Sequence, residues 1–150
     1  MRSAIVQALA IAPEAILQTA ELDNGPVWQA FHLDNAQSVL AIDSSQVRWP
    51  EFKAIGLIGA HPAGAECDYE VRMLATSSGM SEDPITGSLN AALAHWMQAD
   101  GRIQAPVTVA QGTNIGRHGR VTIRPRGNTI SDGVYIGGES HIIIEGTVWL

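Results

Sequence analysis

A single long apolar segment in the middle of the chain constrains its fold more than any other feature. Starting at Leu89, apolar residues recur at the spacing i, i+3, i+4, i+7 and i+8, which is one face of a helix, and Gly101 lies where a glycine commonly ends one. The other positions of this helix carry no Asp, Glu, Lys or Arg. A helix that is apolar or small on most sides needs neighbouring elements around it. The sequence therefore predicts one central, enclosed helix. Its apolar positions are Leu89, Ala92, Leu93, Trp96 and Met97.

The segments on both sides of this helix have the patterns of strands and turns. Asp23-Asn24-Gly25-Pro26 is a strong turn signal, and glycines recur between the segments that follow the helix. This order suits a mostly antiparallel sheet that curls, barrel-like, around the central helix, so the predicted fold class is α+β. The predicted strands cover 27–33, 54–60, 68–75, 107–111, 120–124, 133–136, 141–145 and 147–150. Short helical segments are predicted over 3–10 and, with Asn35 as N-cap, over 36–42.

Length and composition indicate one globular domain. A chain of 150 residues with 45% hydrophobic and 16% charged residues can bury a sizeable core without a disulfide or a metal. The net charge is -6, and the nine Lys and Arg residues are scattered. Because phosphate backbones are bound by clustered basic residues, we expect no nucleic-acid partner. No run approaches the roughly 18 apolar residues of a membrane helix, so we expect no membrane partner.

Cysteine and histidine usage gives no sign of a metal or a cofactor. Cys67 is the only cysteine, so it cannot form an internal disulfide, and we expect an inert, buried thiol. The five histidines lack the spacing of a zinc site, and no G-x-G-x-x-G motif lies between a strand and a helix. His95, on the central helix, is expected to be a hydrogen-bonded core residue. These features predict a cytoplasmic protein without cofactor or metal.

The residues that enter the central helix form a candidate binding site. The segment from Ser78 to Ser88 brings two carboxylates, a proline and a Thr-Gly-Ser triplet to the helix start. The free N–H groups of a first helical turn, together with the helix dipole, bind anions. Gly87 has no Cβ and lets a substrate carboxylate approach the backbone, while Ser88 adds a hydroxyl donor. Asp83, fixed by Pro84, lies at the rim, where a carboxyl group can orient or transfer a proton.

A purely structural interpretation of the same residues is also open. Asp83 can serve as an N-cap with Pro84 at the first helical position, and the hydroxyls of Thr86 and Ser88 can satisfy backbone donors. Helix capping alone does not choose between this interpretation and an anion site.

The segment Glu82-Asp83-Pro84-Ile85-Thr86-Gly87-Ser88 resembles a family signature. It is similar to the E-D-P-A-T-G-S motif of the PhzF-like family, which belongs to the diaminopimelate-epimerase fold superfamily, and differs only at Ile85. Further similarity to the family's second domain lies at 23–33, 71–75 and 135–150. The chain is thus identified as a member of this family over its whole length, as a single C-terminal domain covering 1–150 without the family's N-terminal domain.

This resemblance implies a function as well as a fold. Family members pair two similar domains around a cleft, and the chain is expected to act as a cofactor-independent isomerase of the proton-shift or epimerase type, in phenazine-like biosynthesis. The expected substrate is a small carboxylate. By the motif, Asp83 and Ser88 are the expected catalytic residues, and Thr86, Gly87 and Ser88 the expected substrate contacts. A structural role is expected for Glu82.

The resemblance also indicates what the chain needs from elsewhere. The family's acid/base glutamate and a supporting histidine belong to the first domain, and no segment of this sequence matches their motifs. A homodimer or a separate first-half domain is therefore the expected partner. The alternative is a non-catalytic carboxylate-binding or scaffold half-domain.

Overall fold

The computed structural model describes residues 1–127 and 132–149. Short 3₁₀ turns lie at Pro13–Ala15, Ser44–Gln46 and Thr113–Ile115. The helices are α1 (Arg2–Ala8), α2 (Ala36–Ala41) and α3 (Gly87–Ala99). The strands are β1 (Ile16–Asp23), β2 (Val27–Leu33), β3 (Ile55–Ala60), β4 (Tyr69–Leu74), β5 (Glu82–Asp83), β6 (Val107–Gln111), β7 (Gly119–Pro125) and β8 (Val134–Gly137).

The strands form one curled, mixed sheet. Its order is β1-β2-β3-β4-β6-β7-β8, and β5 pairs with the end of β4. The pairs β2–β3 and β4–β6 are parallel, whereas the other neighbouring pairs of the described sheet are antiparallel. The edge strands β1 and β8 both contact α3, so the sheet curls around this helix. The predicted α+β class is confirmed.

Helix α3 packs against the concave face of the sheet. Gly56 of β3 permits a close approach, because a Cβ there would lie 2.6 Å from Cδ1 of Leu89. The helix is less enclosed than predicted, since His95 is exposed on its outer side rather than in the core. The cluster on this face includes Trp28, Ala30, Val71, Leu93, Met97, Val109 and Ile123.

Helices α1 and α2 cover the opposite face of the sheet. Because successive strand residues point to opposite faces, β2 contributes Trp28 and Ala30 to the α3 side, and Phe31 and Leu33 to the other. Strand β2 is therefore buried on both faces and carries an almost continuous apolar run. The second cluster includes Ile5, Leu9, Phe31, Leu33, Val39, Leu57 and Leu74.

Several predicted strand positions are wrong or incomplete. Strands β1 and β5 were not predicted, and the strands predicted over 141–145 and 147–150 do not form in the described residues 138–149. None of the described residues after Gly137 pairs with another strand, and a strand needs a paired neighbour. Leu150 lies outside the described residues. No helix among the described residues is long and apolar enough to cross a membrane.

Candidate functional site

The first turn of α3 is open to solvent. Thr86 is the N-cap and is buried, whereas Gly87 and Ser88 are exposed. A Cβ built on Gly87 meets no heavy atom within 4 Å. The backbone amides of Gly87 and Ser88 donate no hydrogen bond to any described residue. This turn therefore presents unsatisfied N–H groups at the positive end of a helix, an arrangement that attracts anions.

Asp83 is not the N-cap that the structural interpretation required. It lies in β5, and its Oδ2 accepts a 2.7 Å hydrogen bond from the Thr86 hydroxyl. The other carboxylate oxygen, Oδ1, has no hydrogen-bond partner among the described residues. The Thr86 side chain is used in this bond and makes no cap bond to the first turn. Asp83 is thus held at the edge of the turn with one oxygen available.

Gln111 holds the chain entering α3 in place. Its Oε1 accepts hydrogen bonds from the Thr86 amide at 3.2 Å and from Asn90 Nδ2 at 2.9 Å. Its Nε2 donates to the Asp83 carbonyl and to the Thr86 hydroxyl, each at 3.0 Å. Gln111 and Asn90 are fully buried. Because both functional groups of Gln111 are used, the connection from β5 to α3 has little freedom to move.

Asn90 is the least satisfied member of this cluster. Its Nδ2 donates to the Thr86 carbonyl at 2.9 Å and to Gln111, while its buried Oδ1 has no partner among the described residues. Sequence reasoning missed both Asn90 and Gln111. The available signal was a polar residue on an otherwise apolar helix face and another at the end of an apolar strand.

The turn between β1 and β2 forms a wall beside the helix start. Asn24 Nδ2 donates to the carbonyl of Ser88 at 2.8 Å, and Asn24 Oδ1 accepts from Trp28 Nε1 at 3.0 Å. Gly25, at φ 109°, gives the turn a backbone conformation that favours glycine. The structure therefore joins two distant segments, the Asp-Asn-Gly-Pro turn and the signature, into one surface.

Glu82, also in the signature, lies below this surface. It is buried and paired with the equally buried Arg72, whose Nη1 also donates to the carbonyls of Val39 and Ile42 at 2.9 and 2.7 Å. Glu82 is therefore a structural residue that cannot reach a ligand on the outer face of the turn.

The remaining sequence candidates are the histidines and Cys67. No group of three or more His, Cys, Asp or Glu residues that could hold a metal occurs in the described part of the chain. Cys67 is buried, and burial raises the pKa of its thiol above the usual value. A raised pKa leaves little of the nucleophilic thiolate at neutral pH.

Several solved structures share this fold. A phenazine biosynthesis protein of the PhzF family from Bacillus anthracis is 15% identical with a TM-score of 0.66, covering 91% of this chain and 50% of that one. A PhzF-family phenazine biosynthesis protein from Enterococcus faecalis is 21% identical with a TM-score of 0.64, covering 97% and 51%. A PhzC/PhzF phenazine biosynthesis protein from Clostridium difficile is 22% identical with a TM-score of 0.58, covering 93% and 56%.

These likenesses establish the fold, and the chain spans about half the length of the solved relatives it matches. No curated protein matches the sequence significantly. The sequence model of the phenazine biosynthesis-like proteins, PhzC-PhzF, matches residues 4–146. The resemblance carried by the signature and its flanking strands is therefore confirmed, and the chain belongs to the phenazine biosynthesis-like PhzC-PhzF family.

Proposed function

We propose that this chain is the C-terminal half of a cofactor-independent isomerase that binds a small carboxylate at the start of α3. Membership of the family suggests an isomerase-type role in phenazine-like biosynthesis. The observation that carries the proposal is the uncapped first turn, where the amides of Gly87 and Ser88 face solvent next to Asp83. A scaffold element under no functional demand would gain stability from a side-chain cap at this position.

In the proposed chemistry, the substrate carboxylate accepts hydrogen bonds from the amides of Gly87 and Ser88 and from the Ser88 hydroxyl. The helix dipole favours the same negative charge. The free Oδ1 of Asp83 orients a polar group of the substrate or relays a proton. A base removes a proton from one carbon and a proton is returned to another, so the reaction is a redox-neutral isomerisation without a cofactor.

We infer that the base comes from another domain or subunit, because no segment of this sequence matches the motif of the family's acid/base glutamate. Glu82 is paired with Arg72, so Asp83 is the one acidic residue of the signature with an unpaired oxygen among the described residues. A homodimer that uses the same face twice, or a separate first-half domain, would close a cleft over the helix start. We place this assembly in the cytoplasm because its single buried cysteine suits a reducing compartment.

The C-terminal segment supports the need for a partner. Residues 138–149 lack regular structure, and their large apolar side chains are 80–92% exposed. A run of this kind is unusual on the surface of a monomer and marks an interaction site. The residues are Ile142, Ile143, Ile144, Val148 and Trp149.

Proton exchange tests the enzyme proposal. The chain, alone and mixed with the first-half domain of a family member, is incubated in heavy water with candidate hydroxy- and amino-acids, and deuterium incorporation is followed by NMR. We expect exchange only when the partner is present, and a loss of about 10²-fold or more in Asp83→Asn, as for a proton-transfer group. Ser88→Ala, which removes the proposed hydroxyl donor, should also lower exchange, and Ser3→Ala, which changes an exposed serine of α1, is its matched control and should leave exchange unchanged.

One observation also favours a second candidate, a non-catalytic carboxylate-binding half-domain. The signature and the first turn of α3 offer amide donors but no Lys, Arg or His. Size-exclusion chromatography and the exchange experiment separate the two. Carboxylate binding without exchange, with the first-half domain supplied, would favour the binding module over the isomerase.

A further inference from the structure

A separate cavity of about 420 Å³ lies beside the tip of the β4–β5 hairpin. The loop that includes Ser44–Gln46 forms one wall, and the hairpin loop from Ala75 to Ser81 forms the other. Its size is in the range of small-molecule sites. No residue of the signature, Glu82 to Ser88, lines this cavity, so the cavity is distinct from the start of α3.

The wall of this cavity is rich in hydrogen-bond donors that the protein does not use. The hydroxyls of Ser44, Ser77 and Ser81 make no hydrogen bond with any described residue. Arg48 donates from Nε to the Ser45 carbonyl at 3.4 Å, and its two terminal nitrogens have no partner in the described part of the chain. Arg48, Ser77 and Ser81 are exposed, so these donors are accessible to a ligand with several acceptor oxygens.

The charge of the cavity differs from that of the rest of the molecule. The chain has 15 acidic against nine basic residues, yet no Asp or Glu lines the cavity. The neighbouring Asp43 is outside the lining, and its carboxylate accepts from the Ser45 amide at 2.9 Å and from Gln46 Nε2 at 3.2 Å. Lys53 does not line the cavity, but its Nζ lies 4.9 Å from the ring centre of Trp49, which does. An anion is therefore favoured in a protein that otherwise repels it.

The hairpin wall is held in an uncommon conformation. Ala75 is buried and has a φ of 56°, which is uncommon for a residue other than glycine. The Thr76 hydroxyl donates to the Met80 carbonyl at 2.8 Å and lies 3.0 Å from the Ser78 hydroxyl. Strained residues of this kind cluster at ligand sites. The Thr76 hydroxyl therefore links the two ends of this loop beside the cavity.

We propose that this cavity binds a small organic anion with a carboxylate or phosphate head group. The Arg48 guanidinium pairs with two oxygens of the head group, because its planar fork matches a carboxylate or a phosphate. The hydroxyls of Ser44, Ser77 and Ser81 donate to the remaining oxygens, and Trp49 supplies an apolar wall for the carbon body. The proposal does not depend on the isomerase assignment.

Titration followed by ¹⁵N NMR tests the cavity. Inorganic phosphate and succinate are added at constant ionic strength, with uncharged succinamide as the control ligand. We expect saturable shifts at amides 44–49 and 75–81, with the tighter of the two probes identifying the head group, and none with succinamide. Arg48→Met should weaken binding about tenfold or more, which corresponds to the loss of one charged hydrogen-bonding group. Arg117→Met removes the same charge at an exposed position outside the cavity and should leave binding unchanged.

Two outcomes would overturn the proposal. One is a titration without shifts at 44–49 and 75–81, and the other is an equal affinity in the Arg48→Met protein. Shifts confined to 86–90 would refute the cavity proposal while supporting the α3 site, whereas shifts confined to 44–49 and 75–81 would support the cavity proposal. Should Arg48→Met lose its dispersed spectrum, the double change Ser77→Ala with Ser81→Ala replaces it, with the same weakening expected.

Discussion

Arg72 and Glu82 form a buried ion pair with two parallel hydrogen bonds. Arg72 Nε donates to Glu82 Oε2 and Nη2 to Oε1, both at 2.9 Å, and both side chains are at most 2% exposed. With Nη1 on two carbonyls at the end of α2, the guanidinium ties β5 to that helix. The pair thereby fixes β5, the strand that contains Asp83.

Removing one member of this pair should destabilise the fold strongly. We expect Glu82→Ala to lower the free energy of unfolding by about 3–5 kcal/mol, because it leaves the Arg72 charge buried without its partner. Urea unfolding measures the loss. Glu66→Ala is the matched control, since Glu66 pairs with Arg120 in a largely exposed position and should cost no more than about 1 kcal/mol. Similar losses in both proteins would contradict the structural role of Glu82.

The loss of Gln111 should affect both stability and the α3 turn. Gln111→Ala removes four hydrogen bonds and leaves the Thr86 amide and the Asp83 carbonyl without these partners. Each unsatisfied buried group costs about 1–3 kcal/mol, so we expect a total of roughly 3 kcal/mol in urea unfolding. Gln104→Ala, which removes an exposed bond to the Gly101 carbonyl, should cost less than about 0.5 kcal/mol. An equally small effect at Gln111 would mean that the turn is held by other contacts.

His32 should make stability depend on pH. Burial lowers the pKa of His32 below 6.5, Arg102 lowers it further, and Asp100 opposes the shift. His32 Nδ1 and Arg102 Nη1 lie 2.9 Å apart, so the neutral ring accepts this bond and protonation breaks it. Below pH 6.5, His32 binds a proton more readily in the unfolded chain than in the folded one. The contribution of His32 to the free energy of unfolding is therefore fully present above pH 6.5. It falls as the pH drops towards the lower pKa of the folded state, by at most about 1.4 kcal/mol per pH unit.

Urea unfolding between pH 7.5 and pH 5 checks this dependence. His32→Asn retains an acceptor for Arg102 and should remove the component of the slope that begins near 6.5. His95→Gln changes an exposed histidine on α3 and should preserve it. If His32→Asn unfolds with the same pH profile as the original chain, another group is responsible.

The extent to which the sequence predicted the fold depends on whether a segment's signal was local. Val27–Leu33 and Val107–Gln111 were predicted to the residue, because apolar runs bounded by turn residues need no knowledge of a partner. Strand β1, an edge strand with mixed polarity, lacked that signal. The segment 141–149 is apolar enough for a strand, yet the described chain provides no neighbour for it.

The residues of the candidate site also fall into those that local sequence predicts and those that it does not. The uncapped turn with Gly87 and Ser88 could be located from the signature, because a helix start is encoded by adjacent residues. The part played by Gln111 could not, since it depends on the parallel pairing of β4 with β6, in which Val71 lies opposite Gln111. Likewise, the Asn24 bond to the Ser88 carbonyl joins residues 64 positions apart. Such contacts become visible only once the topology is known.

Gly87 allows ligand binding to be separated from stability. A Cβ at this position meets no atom within 4 Å and the residue needs no left-handed backbone conformation, so Gly87→Ala should be neutral or stabilising by up to about 1 kcal/mol through helix propensity. A methyl group on the open face of the turn should nevertheless obstruct a carboxylate that contacts the Gly87 amide. We expect about tenfold weaker carboxylate binding in the assembled protein, measured by calorimetry. Gly59→Ala is the contrasting change, since its Cβ would meet the Asn35 carbonyl and should destabilise the chain. If Gly87→Ala binds carboxylates as tightly as the original protein, the amide of Gly87 does not contact the ligand.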